Sequence, residues 1–118
     1  MSNQKDYPLL FKSEEDIKRE NRKRYEKARK VAKNLAKLLK EKYNAKVVWI
    51  FGSLNDPDRF NEWSDIDLAV QGVDPERFYA AVGAVTDLYD EFKIDLLDLD
   101  DCKDSILETV KREGKRYE

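Results

Sequence analysis

Asp65 and Asp67 stand two residues apart in Ser64-Asp65-Ile66-Asp67-Leu68-Ala69-Val70, a stretch otherwise apolar enough to be a strand. On an extended chain, side chains at i and i+2 share a face. The two carboxylates therefore project together, while Ile66, Leu68 and Val70 turn the other way, into a core. Acids are poor strand formers, so an ordinary polar strand face is the weaker reading of this pair. Two carboxylates one strand step apart repel unless a cation lies between them. Mg²⁺ suits that place, because it is a hard ion that takes oxygen ligands and shares them with phosphates. Upstream, Val47–Phe51 is an apolar, β-branched run that reads as a buried strand. It stops at Gly52-Ser53, a small pair that can turn sharply and bring backbone N–H groups close to a ligand.

The rest of the composition narrows the chemistry. The 118 residues contain no His and a single cysteine, Cys102. That removes Ser-His-Asp and Cys-His catalysis, an internal disulfide and a zinc site. What is left is chemistry on carboxylates, hydroxyls, backbone groups and a bound metal. The length suits one domain, and 41% charged with 41% hydrophobic residues suits a soluble protein with a highly charged surface. No apolar run approaches the ~20 residues that span a bilayer. Residues 1–16 lack a cleavable signal pattern, so no membrane association is expected and the cytoplasm is the expected location. Net charge is −2, but residues 1–43 hold 14 Lys/Arg against 7 Asp/Glu, and residues 44–118 hold 9 against 18. The acidic part contains the paired aspartates. The basic part could face an acidic partner or a polyanion.

The elements that must position these residues follow from periodicity. Residues 1–12 read as an arm whose Tyr7–Phe11 is apolar enough to dock. Ser13 and the acids after it read as a helix start, and no Gly or Pro interrupts a helix over residues 13–43. Ala28, Val31, Ala32, Leu35, Leu38 and Leu39 form its apolar face. Lys18–Lys42 carries twelve basic residues and three acids, which reads first as a solvated face, then as a partner contact, and last as a nucleic-acid contact. Its one aromatic, Tyr25, is too little for a stacking platform, so direct nucleic-acid binding is not expected. Asn44-Ala45 turns into the first strand, and residues 54–64 form a loop or short helix in which Arg59 is the one cation. Asp74-Pro75 opens a second helix with Phe78, Ala81, Val82, Val85, Leu88 and Phe92 inward. Lys93–Leu99 reads as a third strand, on which Asp95 and Asp98 take opposite faces, so only one can join the paired acids. A last helix over Cys102–Glu113 buries Ile106, Leu107 and Val110 and is capped by Gly114. The order predicts an α/β domain with a small mixed sheet and flanking helices, including a long N-terminal one.

A strand ending in Gly52-Ser53, a gap over residues 54–64, and Asp65-x-Asp67 on the next strand resembles the signature of the polymerase-β-like nucleotidyltransferases. Within that superfamily the chain looks most like the minimal nucleotidyltransferases, small single-domain proteins often paired with a helical HEPN-type partner. The resemblance covers residues 46–118, the expected catalytic core, and the ending Arg112–Tyr117 is similar to the Glu-Gly-containing tail common in small members. It implies a polymerase-β-like nucleotidyltransferase fold, two Mg²⁺ ions and ATP as substrate. In its terms Asp65 and Asp67 bridge the metals, and Asp95 is the third carboxylate, which orients or deprotonates the attacking hydroxyl. Gly52 and Ser53 hold the β- and γ-phosphates, and Arg59 either grips a phosphate or pairs with Asp56 or Asp58.

The resemblance further implies an antitoxin that transfers AMP to a hydroxyl of a HEPN-type ribonuclease partner, as a homodimer or hetero-oligomer. Two other classes stay in view: a nucleotidyltransferase acting on a small molecule such as an aminoglycoside, and a non-catalytic module that masks its partner. A nucleic-acid binder built on the basic helix is a third and weaker one. One departure is plain. Many members carry an Ala-Arg-Gly-like element soon after Gly-Ser, where this chain has Leu54-Asn55-Asp56-Pro57.

Overall fold

Ser13 starts the first helix as its type predicts, accepting a hydrogen bond on Oγ from the Asp16 N–H at 3.1 Å. This computed structural model describes residues 13–117; the arm expected over residues 1–12, with its apolar Tyr7–Phe11, lies outside the described residues. Helix α1 runs Glu14–Lys42, with acids in its first turn and Lys40 and Lys42 in its last, matching the helix dipole at both ends. Residues 14–20 are all exposed. From Arg24 onward the helix lies on the domain. The Arg24 guanidinium sits 4.6 Å over the Phe92 ring and donates to the Glu91 carbonyl at 3.2 Å, and Lys27 pairs with the Glu91 carboxylate. Ala28, Val31, Ala32, Leu35, Ala36 and Leu39 are buried. A leucine buried this fully contributes about 1.5–3 kcal/mol.

The sheet has four strands, β1 (Val47–Phe51), β2 (Ile66–Gln71), β3 (Ile94–Asp98) and β4 (Lys115–Arg116), in the order β3-β2-β1-β4. β1 runs antiparallel to β2 and β4, while β2 and β3 are parallel. Helix α2 (Pro75–Asp87) makes the crossover that a parallel pair needs, capped by the Asp74 carboxylate accepting from the Glu76 N–H at 2.9 Å. The alternation along the strands separates two layers. Val48, Ile66, Leu68, Val70 and Ile94 pack with α1 and α2 in the main core. Ala69 faces the other way with Leu99 and Val110, under helix α3 (Asp104–Glu113).

Several expectations shift. Leu88 and Ile106 are exposed rather than buried: α2 stops at Asp87, so Leu88 and Phe92 lie beyond it, Phe92 still buried, and Ile106 lies off the face of α3 that buries Val110. Helix α3 begins at Asp104 rather than Cys102: Leu99–Asp101 first forms a short 3₁₀ turn, and Cys102 is extended. Gly114 ends α3 at φ −82° and not in the left-handed cap geometry. Its lack of a side chain serves close approach instead, since a Cβ there would meet the Val110 carbonyl oxygen at 2.5 Å. The chain can then lie down as β4, which pairs Ile50 with Lys115 and Trp49 with Arg116. A two-residue strand of Lys and Arg carries no period-2 signal, and the sequence reading missed it.

Candidate active site

Strand β2 delivers the paired acids as its alternation dictates. Ile66, Leu68 and Val70 are fully buried, so Asp67 stands on the opposite face, and Asp65, just ahead of the strand, is half-buried. Register then supplies the neighbours. Asp67 lies across from Phe51 on β1 and from Asp95 on β3. The choice between Asp95 and Asp98 is settled by that pairing. Asp95 sits on the face of Asp67, whereas Asp98 pairs with Val70 and its Oδ1 accepts from the Asp100 N–H at 3.0 Å. The structure thus brings Asp65, Asp67 and Asp95 to one end of the sheet.

Gly52 follows Phe51 and turns away at φ +74°, a left-handed value that glycine adopts at no steric cost. The turn brings its backbone against the Asp67 carboxylate so closely that a Cβ on residue 52 would overlap Asp67 Oδ2. Gly52 and Ser53 open a 3₁₀ turn, Gly52–Asn55, whose Leu54 is buried in the main core. Asn55 ties the turn down: its Nδ2 donates to the Ile50 carbonyl at 2.7 Å and to the Glu113 carbonyl at 3.4 Å. The segment that stands in place of the Ala-Arg-Gly-like element is therefore anchored at both Leu54 and Asn55. Arg59 is exposed, and among the described residues it forms no ion pair with Asp56 or Asp58. The Asp56 carboxylate instead accepts from the Asp58 N–H at 3.0 Å.

The electrostatics centre on Asp67. Its carboxyl is pushed up to about 6, first by burial, then by the nearby charges of Asp95 and Asp65, with Lys93 opposing. Burial and neighbouring acids both disfavour the ionised form, more than Lys93 offsets, and a bound cation would relieve them. The donor set fits Mg²⁺ in kind, being all carboxylate oxygen. Among the described residues no three acids or thiols close into a metal cage. Mg²⁺ is seldom held that way; it is bound through one or two carboxylates, with water and substrate phosphates supplying the rest. Asp65, Asp67 and Asp95 would be its ligands. Cys102 is no rival nucleophile, because burial and the charges of Asp98, Asp104 and Asp101 push its thiol up, away from the reactive thiolate.

Two residues escaped the sequence reading. Phe60 is buried and packs edge-on against Tyr25 at 5.9 Å, pinning the loop to α1. Trp63, two residues before Asp65, is 83% exposed. Its turn is held by the Asn61 N–H donating to Ser64 Oγ at 3.0 Å and the Trp63 N–H donating to Asn61 Oδ1 at 2.8 Å. Asn and Ser bounding such a stretch are the turn signal that could have located it.

Comparison with known proteins agrees with this fold. A chain of the MntA–HepT toxin–antitoxin crystal structure is similar at 22% identity and a TM-score of 0.55, covering 75% of this chain and 69% of that one. A chain of the tri-AMPylated Shewanella oneidensis HEPN toxin in complex with MNT antitoxin is similar at 22% identity and 0.56, covering 75% and 70%. A third, from a toxin–antitoxin structure with AMP-PNP, gives 22% identity and 0.58, covering 71% and 70%. The search among curated proteins found no match. The family model described as polymerase beta, nucleotidyltransferase, matches residues 33–116, which include the Gly-Ser turn and all three aspartates. The chain belongs to the polymerase-β nucleotidyltransferase family.

Proposed function

We propose that this protein is a minimal nucleotidyltransferase that uses Mg²⁺ and ATP to transfer AMP to a hydroxyl of a HEPN-type protein partner, acting as that partner's antitoxin in the cytoplasm. The observation that carries this reading is the closure of Gly52 onto Asp67 with Asp95 alongside. It sets the backbone of the Gly52–Asn55 turn against the carboxylates at one end of the sheet. Support for the acceptor comes from the similar folds, which include an MNT antitoxin complexed with an AMPylated HEPN toxin and a complex with AMP-PNP.

In this reading, the Gly52 and Ser53 N–H groups and the Ser53 hydroxyl hold the β- and γ-phosphates. Arg59, exposed and unpaired with Asp56 and Asp58, reaches the same phosphates. Asp95 orients the acceptor hydroxyl and takes its proton. The hydroxyl oxygen forms a bond to the α-phosphorus as the bond from that phosphorus to the bridging oxygen breaks, and pyrophosphate departs in line. Two Mg²⁺ ions, held by Asp65, Asp67 and Asp95, supply charge stabilisation for the entering and leaving oxygens when bound. Trp63 gives the acceptor protein an apolar contact beside Asp65.

Incubating the candidate HEPN partner with this protein, ATP and Mg²⁺ and weighing the partner by mass spectrometry tests the reading. One or more AMP units should appear, and none with the Asp65→Asn/Asp67→Asn protein. A second reading is favoured by one observation only: the pinned Leu54-Asn55 segment, where the family's flexible glycine is absent. Under it the protein silences its partner by masking, and a stable complex with no added mass would move the conclusion there.

A further inference from the structure

A cavity lies on the other side of the sheet from the carboxylates. Its volume is about 380 Å³, and its floor is Ile50, Leu54 and Tyr117. Ile50 pairs with Leu68 and Lys115, the core-facing register, whereas Asp67 pairs with Phe51 on the far face. Of the four cationic residues that line it, Arg116 stands 5.9 Å over the Trp49 ring, and the other three, Arg29 and Lys33 from α1 and Lys115 from β4, converge on the cavity. No acid lines it. The two α1 acids that flank this stretch are engaged elsewhere, Glu26 with Arg22 and Glu41 with Lys37, and none of the three cations has an ion pair among the described residues. Arg29 is held in place by donating to the Tyr25 hydroxyl at 3.0 Å, and Lys40 stands 5.6 Å over the Tyr117 ring. Arg29 and Lys33 are i,i+4 neighbours, a like-charged pairing that is unfavourable unless an anion lies between.

We infer that this cavity binds a compact, multiply charged phosphate, either a nucleoside triphosphate or an inorganic polyphosphate. The convergence of three cations on a space of nucleotide size matches a chain of phosphates better than dispersed carboxylates of a protein surface. Leu54 lies in the same short turn as Gly52 and Ser53, so an occupant would rest against the back of the phosphate turn. The inference depends on this cavity and not on the transfer reading.

Equilibrium dialysis tests it with the full-length Asp65→Asn/Asp67→Asn/Arg59→Ala protein in EDTA, which takes the metal and the Arg59 cation out of the carboxylate site, against ATP and against inorganic tripolyphosphate. Saturable one-to-one binding is expected, weakened about ten-fold or more when Lys33→Glu and Lys115→Glu are added, as loss of charge-assisted bonds implies. Both lysines are exposed, and circular dichroism checks that the variant stays folded. Tighter binding of ATP than of tripolyphosphate assigns the site to a nucleotide stacking on Tyr117; equal binding assigns it to the phosphate chain alone. Absent binding, or binding indifferent to the lysine changes, overturns the inference. So does a lysine variant that keeps phosphate binding and loses only its complex with the HEPN partner, which would mark the cavity as a protein interface.

Discussion

Replacing Asp67 with Asn should stabilise the metal-free protein while ending its activity. In the fold the Asp67 carboxyl rises from 3.8 to about 6, with burial the largest cause and Asp95 and Asp65 adding to it. A carboxyl whose folded pKa lies above its unfolded one retains its proton longer in the native state. Stability is therefore greatest below about 4 and falls as pH rises towards about 6, after which the loss is complete. At about 1.4 kcal/mol per pKa unit, and discounted because the side chain is half in solvent, the ionised group costs about 1–2 kcal/mol at pH 8. Asn keeps the shape without the charge. Thermal unfolding in EDTA should give an Asp67→Asn Tm about 4–8 °C above the parent at pH 8, and little difference at pH 4. Adding Mg²⁺ should raise the Tm of the parent and leave the variant unmoved. An Asp67→Asn protein no more stable than the parent at pH 8, or one whose advantage persists unchanged at pH 4, would refute the crowding argument.

Gly52→Ala places a methyl on Asp67 Oδ2 at a left-handed φ, which should lower stability by about 1–2 kcal/mol and transfer by about 10²-fold; AMP incorporation beside a melting curve separates the two effects. Asn55→Ala frees the turn from the Ile50 carbonyl and should cost about 1 kcal/mol in denaturant unfolding. Arg59→Ala should leave the Tm unchanged, since the side chain is exposed, and raise KM for ATP by about ten-fold. An unaltered KM in steady-state kinetics would remove Arg59 from the nucleotide site.

Much of this protein is written in local pattern. The helix from Ser13 through Lys42, the strand Val47–Phe51 and the Asp74-Pro75 helix start are each specified by capping chemistry and apolar period within one segment. So is the opposition of Asp67 to Ile66, Leu68 and Val70, because a strand alternates whatever it pairs with. Other features depend on segments far apart in the chain, and only the tertiary structure decided them. Asp95 rather than Asp98 joins Asp67 because the parallel β2–β3 register sets 67 beside 95. Gly52 is required because a side chain fifteen positions later in the sequence occupies the space its own Cβ would fill. Strand β4 exists because Gly114 lets the tail turn onto β1, and it brings Lys115 to the cavity shared with Arg29 and Lys33. Periodicity places a residue on a face. Which residue it meets there, and how far its charge is then perturbed, is set by strand register and by what water the packed layers exclude.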